Sequence, residues 1–133
     1  MPTVSPRHQL FIDNAQQACD GGDSIPVIDP SNGETFAQIA RGGAADIDRA
    51  VTAARRAFDG AWGRSTAVER GRLMRRWADL VDAHREELAL LEARDTGKPL
   101  KQARADATAL ARYFEYYGGA ADKVMGQTIP YAN

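Results

Sequence analysis

The chain is poor in the residues on which small-protein chemistry usually rests. Its 133 residues include one cysteine, Cys19, so no internal disulfide can form. That is the habit of a reducing compartment, and a cytoplasmic location is expected. One cysteine and two widely separated histidines, His8 and His84, cannot supply a zinc site of ordinary spacing. Both histidines read as surface or packing residues. Neither G-x-G-x-x-G nor G-x-x-x-x-G-K-[ST] occurs, and Gly97-Lys98 lacks the first glycine and the following hydroxyl of a phosphate loop. Ser5, Ser24, Ser31 and Ser65 stand in no nucleophile-elbow motif. No stretch approaches the roughly 18 apolar residues of a membrane span. The opening Met1 to His8 has neither the cationic nor the apolar region of an export signal. No sign of charge dominates: Lys and Arg number 17 against 18 Asp and Glu, a net charge of -1. A nucleic-acid partner, which favours basic excess, is not expected, and neither is a membrane.

What remains is the composition of a soluble globular domain, 44% hydrophobic and 26% charged. The first forty or so residues read as extended. Leu10-Phe11-Ile12 is a short apolar run, followed by a polar, glycine-containing stretch from Asn14 to Ser24. Ile25-Pro26-Val27-Ile28 is a second run, which Pro26 confines to a strand start or an edge. Asp29-Pro30-Ser31-Asn32-Gly33 is a turn, and Thr35 to Ala40 returns as a strand, giving a β-hairpin or small meander.

After Gly42-Gly43 the apolar period lengthens to that of a helix. Ile47, Ala50, Val51, Ala54, Ala57 and Phe58 share one face, with Asp46 and Asp48 in the first turn where the helix dipole favours them. Gly60 and Gly63 end this helix and flank Trp62. Thr66-Ala67-Val68-Glu69 is a capping box. Leu73, Trp77, Leu80, Val81 and His84 then form one stripe, while Arg70, Arg72, Arg75 and Arg76 mostly point elsewhere. A bend near His84 separates this from a further helix that stops at Gly97, with Lys98-Pro99 beyond. The last long helix is expected from Leu100 to Gly118, burying Ala103, Ala107, Leu110, Phe114 and Tyr117. Gly118-Gly119 should break it before a helix resumes over Ala120 to Met125, and Gln127 to Tyr131 reads as the opening of a strand.

Taken one at a time, the candidate chemical groups have blander readings. Cys19 lies beside Asp20, which would raise a thiol pKa, and has no nearby histidine to activate it. The acidic pairs Asp79/Asp82 and Glu86/Glu87 alternate with arginine as a solvated helix face does. Tyr113-Phe114-Glu115-Tyr116-Tyr117 must point partly inward and partly outward, toward core and an interdomain contact.

The order of the motifs says more. From about Leu10 onward the chain resembles roughly the first quarter of an aldehyde dehydrogenase. Leu10-Phe11-Ile12-Asp13-Asn14 is similar to that family's opening strand, although Ala15-Gln16 follows where Glu-Trp is common. Val27-Ile28-Asp29-Pro30-Ser31-Asn32-Gly33-Glu34 resembles its N-P-x-T/N-G-E turn, with Asp for Asn. Asp46 to Val51, Ala53 to Phe58 with Trp62, and Glu69 to Leu73 with Ala78 to Val81 resemble its first two helices. Asp95-Thr96-Gly97-Lys98-Pro99 resembles E-T-G-K-P, Tyr116 to Lys123 resembles the aromatic-Y-A-G-x-A-D-K stretch, and Gly126 to Pro130 the start of the strand after it.

The resemblance implies an α/β, Rossmann-like family fold, of which this segment is the mostly helical part with an N-terminal β-hairpin. Residues 1–8 would be a flexible N-terminus. Residues 9–133 would be the amino-terminal part of the coenzyme-binding domain, stopping before the Rossmann strands and the catalytic domain. It implies an NAD- or NADP-dependent oxidation of an aldehyde to a carboxylic acid: a cysteine thiolate attacks, hydride leaves to the coenzyme, and a Glu-activated water releases the acid. Those groups match no position here, so the chain alone should be inactive. Some members hold a monovalent cation, K+ or Na+, with main-chain carbonyls before the N-P turn and the acid of the T-G-K-P segment. The matching positions are Val27, Ile28 and Asp95, although Asp95 also reads as simply closing the turn after its helix. Ala109 and Tyr113 match the mouth of the substrate tunnel. The complete enzyme would be a homo-oligomer, a dimer or tetramer. The alternative is a stand-alone helical module that binds a protein partner without catalysis.

Overall fold

The computed structural model describes residues 7–127. The expected flexible segment 1–8 and the strand expected from Gln127 lie outside these, apart from Arg7, His8 and Gln127. Five short strands come first, β1 (Arg7–His8), β2 (Leu10–Ile12), β3 (Ala15–Gln17), β4 (Ser24–Ile28) and β5 (Thr35–Ala40). Five helices follow, α1 (Ala44–Asp59), α2 (Ala61–Arg64), α3 (Ala67–Ala83), α4 (Arg85–Thr96) and α5 (Leu100–Ala120).

The extended region is two hairpins rather than one. β2 pairs antiparallel with β3, Ile12 opposite Ala15, so only Asp13 and Asn14 form the turn. Both have positive φ, 53° and 61°, as the type I′ turn of a two-residue hairpin requires. The polar stretch after Asn14 therefore contains a strand that the sequence reading left out. β4 and β5 form the second hairpin, and β1 adds parallel to β5 in the order β1-β5-β4. Pro26 sits on β4, an edge strand, where its missing N–H costs no ladder bond. In the β4–β5 turn Asp29 accepts from the Ser31 amide at 2.9 Å, Gly33 takes φ 76°, and the Glu34 amide donates to Asn32 Oδ1 at 2.9 Å.

The helix boundaries follow local chemistry. Thr66 Oγ1 accepts from the Glu69 amide at 3.2 Å while Glu69 Oε2 accepts from the Thr66 amide at 2.7 Å, the capping box read from sequence. His84 ends α3 and begins α4. Gly97, at φ 72°, is the left-handed cap that ends α4. Trp62 and Gly63 lie inside the short α2, and Gly60 alone ends α1. Gly118-Gly119 does not break α5, which runs on to Ala120, and no helix resumes through Met125.

The reason lies in how α3 and α5 cross. A β-carbon on Gly71 would stand 2.4 Å from the Gly118 carbonyl oxygen, and one on Gly118 would stand 3.0 Å from that of Gly71. The two glycines are the crossing point and stay helical because the partner backbone fills the space of their side chains. Elsewhere alanine does the packing. Ala89, Ala103 and Ala107 form a small core between α4 and α5, edged by Leu88, Ala93 and Leu100, and Ala78 and Ala111 are buried as well. Trp77 meets Phe114 edge to face, 5.4 Å between centroids.

The expected apolar faces exist, but much of their surface is uncovered. Ile47, Val51 and Phe58 on α1, Trp77 and Leu80 on α3, and Leu110 and Tyr117 on α5 are all exposed. For α5 this corrects the expectation: Ala111 is inside, whereas Leu110 and Tyr117 are not.

Among the described residues one charged side chain is buried, Asp46 at 2% exposure. Its carboxylate accepts from the amides of Gly43 (2.8 Å) and Asp20 (3.3 Å) and from Arg49, fixing the start of α1 to the loop after β3. The Gly43 amide first, then that of Asp20 and the Arg49 guanidinium, hold its pKa below the ordinary carboxylate value.

The helix crossing and the buried carboxylate can each be tested by substitution. Gly71→Ala should cost about 1–3 kcal/mol by overpacking, whereas Gly119→Ala, which meets nothing within 4 Å, should be neutral or slightly stabilising. Equal thermal denaturation midpoints for the two would refute the crossing. Because the folded-state pKa of Asp46 is depressed, its contribution is complete above the unfolded value near 3.8 and is lost as pH falls through the lower folded value. Asp46→Asn should therefore lower the melting temperature at neutral pH and flatten its decline below about pH 5. Parallel melting curves across that range would show that Asp46 titrates normally.

Candidate functional site

A cleft of about 790 Å³ lies between the β4–β5 hairpin and the pair α4/α5. Val27, Phe36 and Ile39 come from the hairpin, Leu91 and Asp95 from α4, and Ala109, Leu110 and Tyr113 from α5. The walls are held by contacts at the end of α4. Gly97 packs on the β4–β5 turn so closely that a β-carbon there would lie 2.9 Å from Pro30 Cγ. Arg94 reaches the same turn, Nε 3.6 Å from Asp29 Oδ2, with its guanidinium carbon 4.4 Å from the Phe36 ring centre. The Ser31 hydroxyl and amide, and more weakly Arg94, hold the Asp29 carboxyl below its usual pKa. On the other side Lys98 Nζ bonds Glu92 Oε1 at 2.5 Å and Asp106 Oδ2 at 2.8 Å, tying the end of α4 to α5. Those two carboxylates raise the Lys98 pKa, Asp106 leading. Farther along, Arg104 forks onto Glu86 with three contacts of 2.6–3.2 Å.

Four of the five residues singled out from the sequence meet in this cleft: Val27, Asp95, Ala109 and Tyr113. Ile28 does not line it, and its side chain is 44% exposed. Of the three carboxylates in the lining, Glu92 and Asp106 share Lys98, and Asp95 has no ion-pair partner among the described residues. Lys98 and Arg94, which shape the cleft, carry no local signal. The Arg94 partners, Asp29 and Phe36, lie in a distant stretch of the chain, whereas those of Lys98, Glu92 and Asp106, lie six and eight residues away on the flanking helices, and no spacing rule connects either set.

The cleft does not suit a dinucleotide. Its wall carries Glu92, Asp95 and Asp106 against only His8 as a titratable base, so a pyrophosphate placed there would meet repulsion. Cys19 is equally unsuited to nucleophilic work: it is buried, and its thiol donates to the Asp23 carbonyl at 3.1 Å. His84 lies far along the chain at the α3–α4 junction, facing Glu87 at 3.1 Å. No group of three or more His, Cys, Asp or Glu among the described residues is arranged to hold a metal ion. No described helix is long and apolar enough to cross a membrane.

A small sheet thus stands beside helices whose apolar faces remain open. Solved structures share this arrangement. The fold matches an aldehyde dehydrogenase from Burkholderia cenocepacia with a TM-score of 0.88 and 59% identity, over 93% of this chain and 26% of that one. It matches an NAD+ complex of aldehyde dehydrogenase from Bacillus cereus with a TM-score of 0.88 and 39% identity, over 95% of this chain and 26% of that one. These neighbours have the Rossmann-like fold. The aldehyde dehydrogenase family profile matches residues 17–133, and the chain belongs to that family. Among curated relatives, aldehyde dehydrogenase family 2 member B4, mitochondrial, of Arabidopsis thaliana is 48% identical over 132 residues, 97% of this chain. The chain spans about a quarter of the length of the relatives it matches.

Proposed function

We propose that this chain serves as the amino-terminal part of an NAD(P)-dependent aldehyde dehydrogenase, in which the whole protein oxidises an aldehyde to a carboxylic acid. The observation that carries this reading is the family match over residues 17–133. In this reading the helices form the outer layer of the coenzyme-binding domain, and NAD or NADP is held by other parts of the whole protein. The Bacillus cereus relative is an NAD+ complex, which favours NAD as the coenzyme class. The catalytic thiol and base also lie elsewhere, since Cys19 is enclosed and has no base beside it.

The cleft has a structural part in this reading. Main-chain carbonyls of Val27 and Ile28, with the Asp95 carboxylate, would ligate K+ or Na+, a hard cation that prefers oxygen. The unpaired state of Asp95 supports this, because Glu92 and Asp106 already have Lys98. Ala109 and Tyr113, on the cleft side of α5, would sit at the mouth of the substrate tunnel. The uncovered apolar faces suit burial inside a homo-oligomeric enzyme, and the single cysteine suits a cytoplasmic location. The same faces would serve a stand-alone interaction module, but family membership favours the enzyme.

Mixed with an aldehyde and NAD+, the purified chain should give no rise in NADH absorbance. Steady turnover would show that the catalytic groups are within it. Exchanging K+ for tetramethylammonium at fixed ionic strength should lower the melting temperature of the chain. Asp95→Asn should abolish that difference, and a chain indifferent to the cation would remove the ion from this reading.

A further inference from the structure

Many basic side chains of this chain have a carboxylate of their own: Arg49, Arg56, Arg85, Arg94, Lys98 and Arg104 are all so paired. One face of α3 differs. Arg72, Arg75 and Arg76 stand at spacings of three and four, so their exposed guanidinium groups are neighbours on the helix surface. Like charges so placed destabilise a helix unless something answers them. Among the described residues the side chains of Arg75 and Arg76 have no hydrogen bond or ion pair. Arg72 acts on Glu69 only through space, and the Glu69 carboxylate is already engaged by Thr66.

These arginines line a groove of about 680 Å³ between α3 and the C-terminal end of α5. Arg72 and Arg76 continue into an adjoining cleft that Arg64 borders. Lys123 also lines the groove and pairs with Asp122, which leaves Glu115 as its one unpaired carboxylate. Positive charge is therefore in excess there, although the whole chain is at -1. The remaining wall includes Gly71 and Gly118, whose backbones meet at the helix crossing, and Gly119, where nothing stands within 4 Å of the place of a side chain. No aromatic side chain lines the groove, so nothing there would stack on a base.

We propose that the groove between α3 and the end of α5 binds the phosphate groups of an oligophosphate anion through Arg72, Arg75 and Arg76. Each guanidinium offers a planar fork of N–H donors that matches two phosphate oxygens, and adjacent forks span adjacent phosphates. Binding relieves the repulsion that remains among the three arginines after the through-space attraction between Glu69 and Arg72. The site is independent of the aldehyde chemistry and of the cation cleft, with which it shares no lining residue.

Pyrophosphate and ADP, titrated separately into the chain by calorimetry at low ionic strength, test the site. The amide resonances of Gly71, Gly118 and Gly119 are followed in parallel. Saturable one-to-one binding that moves those amides is expected. It should weaken at least about tenfold in the R75Q/R76Q double variant and also fall at about 0.15 M salt. R112Q, an exposed arginine outside the groove, should bind as the parent does, and circular dichroism should show both variants equally helical. Equal affinity for the two ligands assigns the groove to the phosphate chain alone, and tighter ADP binding assigns it to a nucleotide. Absence of saturable binding, unmoved glycine amides, or an equal loss in R112Q would overturn the proposal.

Discussion

The backbone contact between Gly71 and Gly118 governs how the helical part of this molecule is built. Helices brought so close gain dispersion contacts between main chains and leave no room for large side chains at the crossing. On the same two helices Ala78 and Ala111 are nearly inaccessible, and Ala103 and Ala107 continue the pattern against Ala89 of α4. Each helical glycine costs roughly 0.5–1 kcal/mol relative to alanine, so the contact must recover that cost through packing. A second consequence concerns the bulky residues. With the close interface reserved for alanine and glycine, Leu80 and Tyr117 are exposed, and Trp77 stays largely exposed while one edge of it meets Phe114.

Polar contacts then place the helices against the strands. At the end of α4 three successive devices act within five residues: Arg94 on Asp29 and Phe36, Gly97 against Pro30, and Lys98 between Glu92 and Asp106. The ion pairs are partly exposed, so each is a weak contributor by itself. Their value is geometric, because together they fix the spacing of the hairpin, α4 and α5 that defines the cleft. Asp95 gains its position from this arrangement. It lies one residue from Arg94 and three from Lys98, yet neither cation pairs with it.

Signals that depend on neighbouring residues were legible in the sequence. The Thr66/Glu69 box, the Gly97 cap, the bend at His84 and the edge position of Pro26 all appear where local chemistry puts them. β3 was missed because Ala-Gln-Gln has no apolar alternation; the signal was its turn, Asp13-Asn14, two residues that tolerate positive φ. The continuity of α5 was missed for the opposite reason. Gly118-Gly119 is a break by propensity, and only the approach of α3 from a distant stretch reverses that preference. For the cleft, the family pattern picked out Val27, Asp95, Ala109 and Tyr113 individually. That they share one wall is a tertiary fact without a one-dimensional trace.

The uncovered faces acquire meaning from the same logic. An amphipathic helix that packs its apolar stripe would hide Ile47, Val51 and Phe58, yet in α1 all three are more than half exposed. Sequence periodicity reports a face intended for burial and is silent on which part of a protein does the burying. Here polar contacts anchor α1, through Asp46, Asp20 and Arg49 near its start and through Arg56 on Asp13 near its end, and none of them uses that stripe. The relatives that share this fold are about four times as long. Position is thus encoded by the buried carboxylate, and the apolar stripe is left free for whatever it meets.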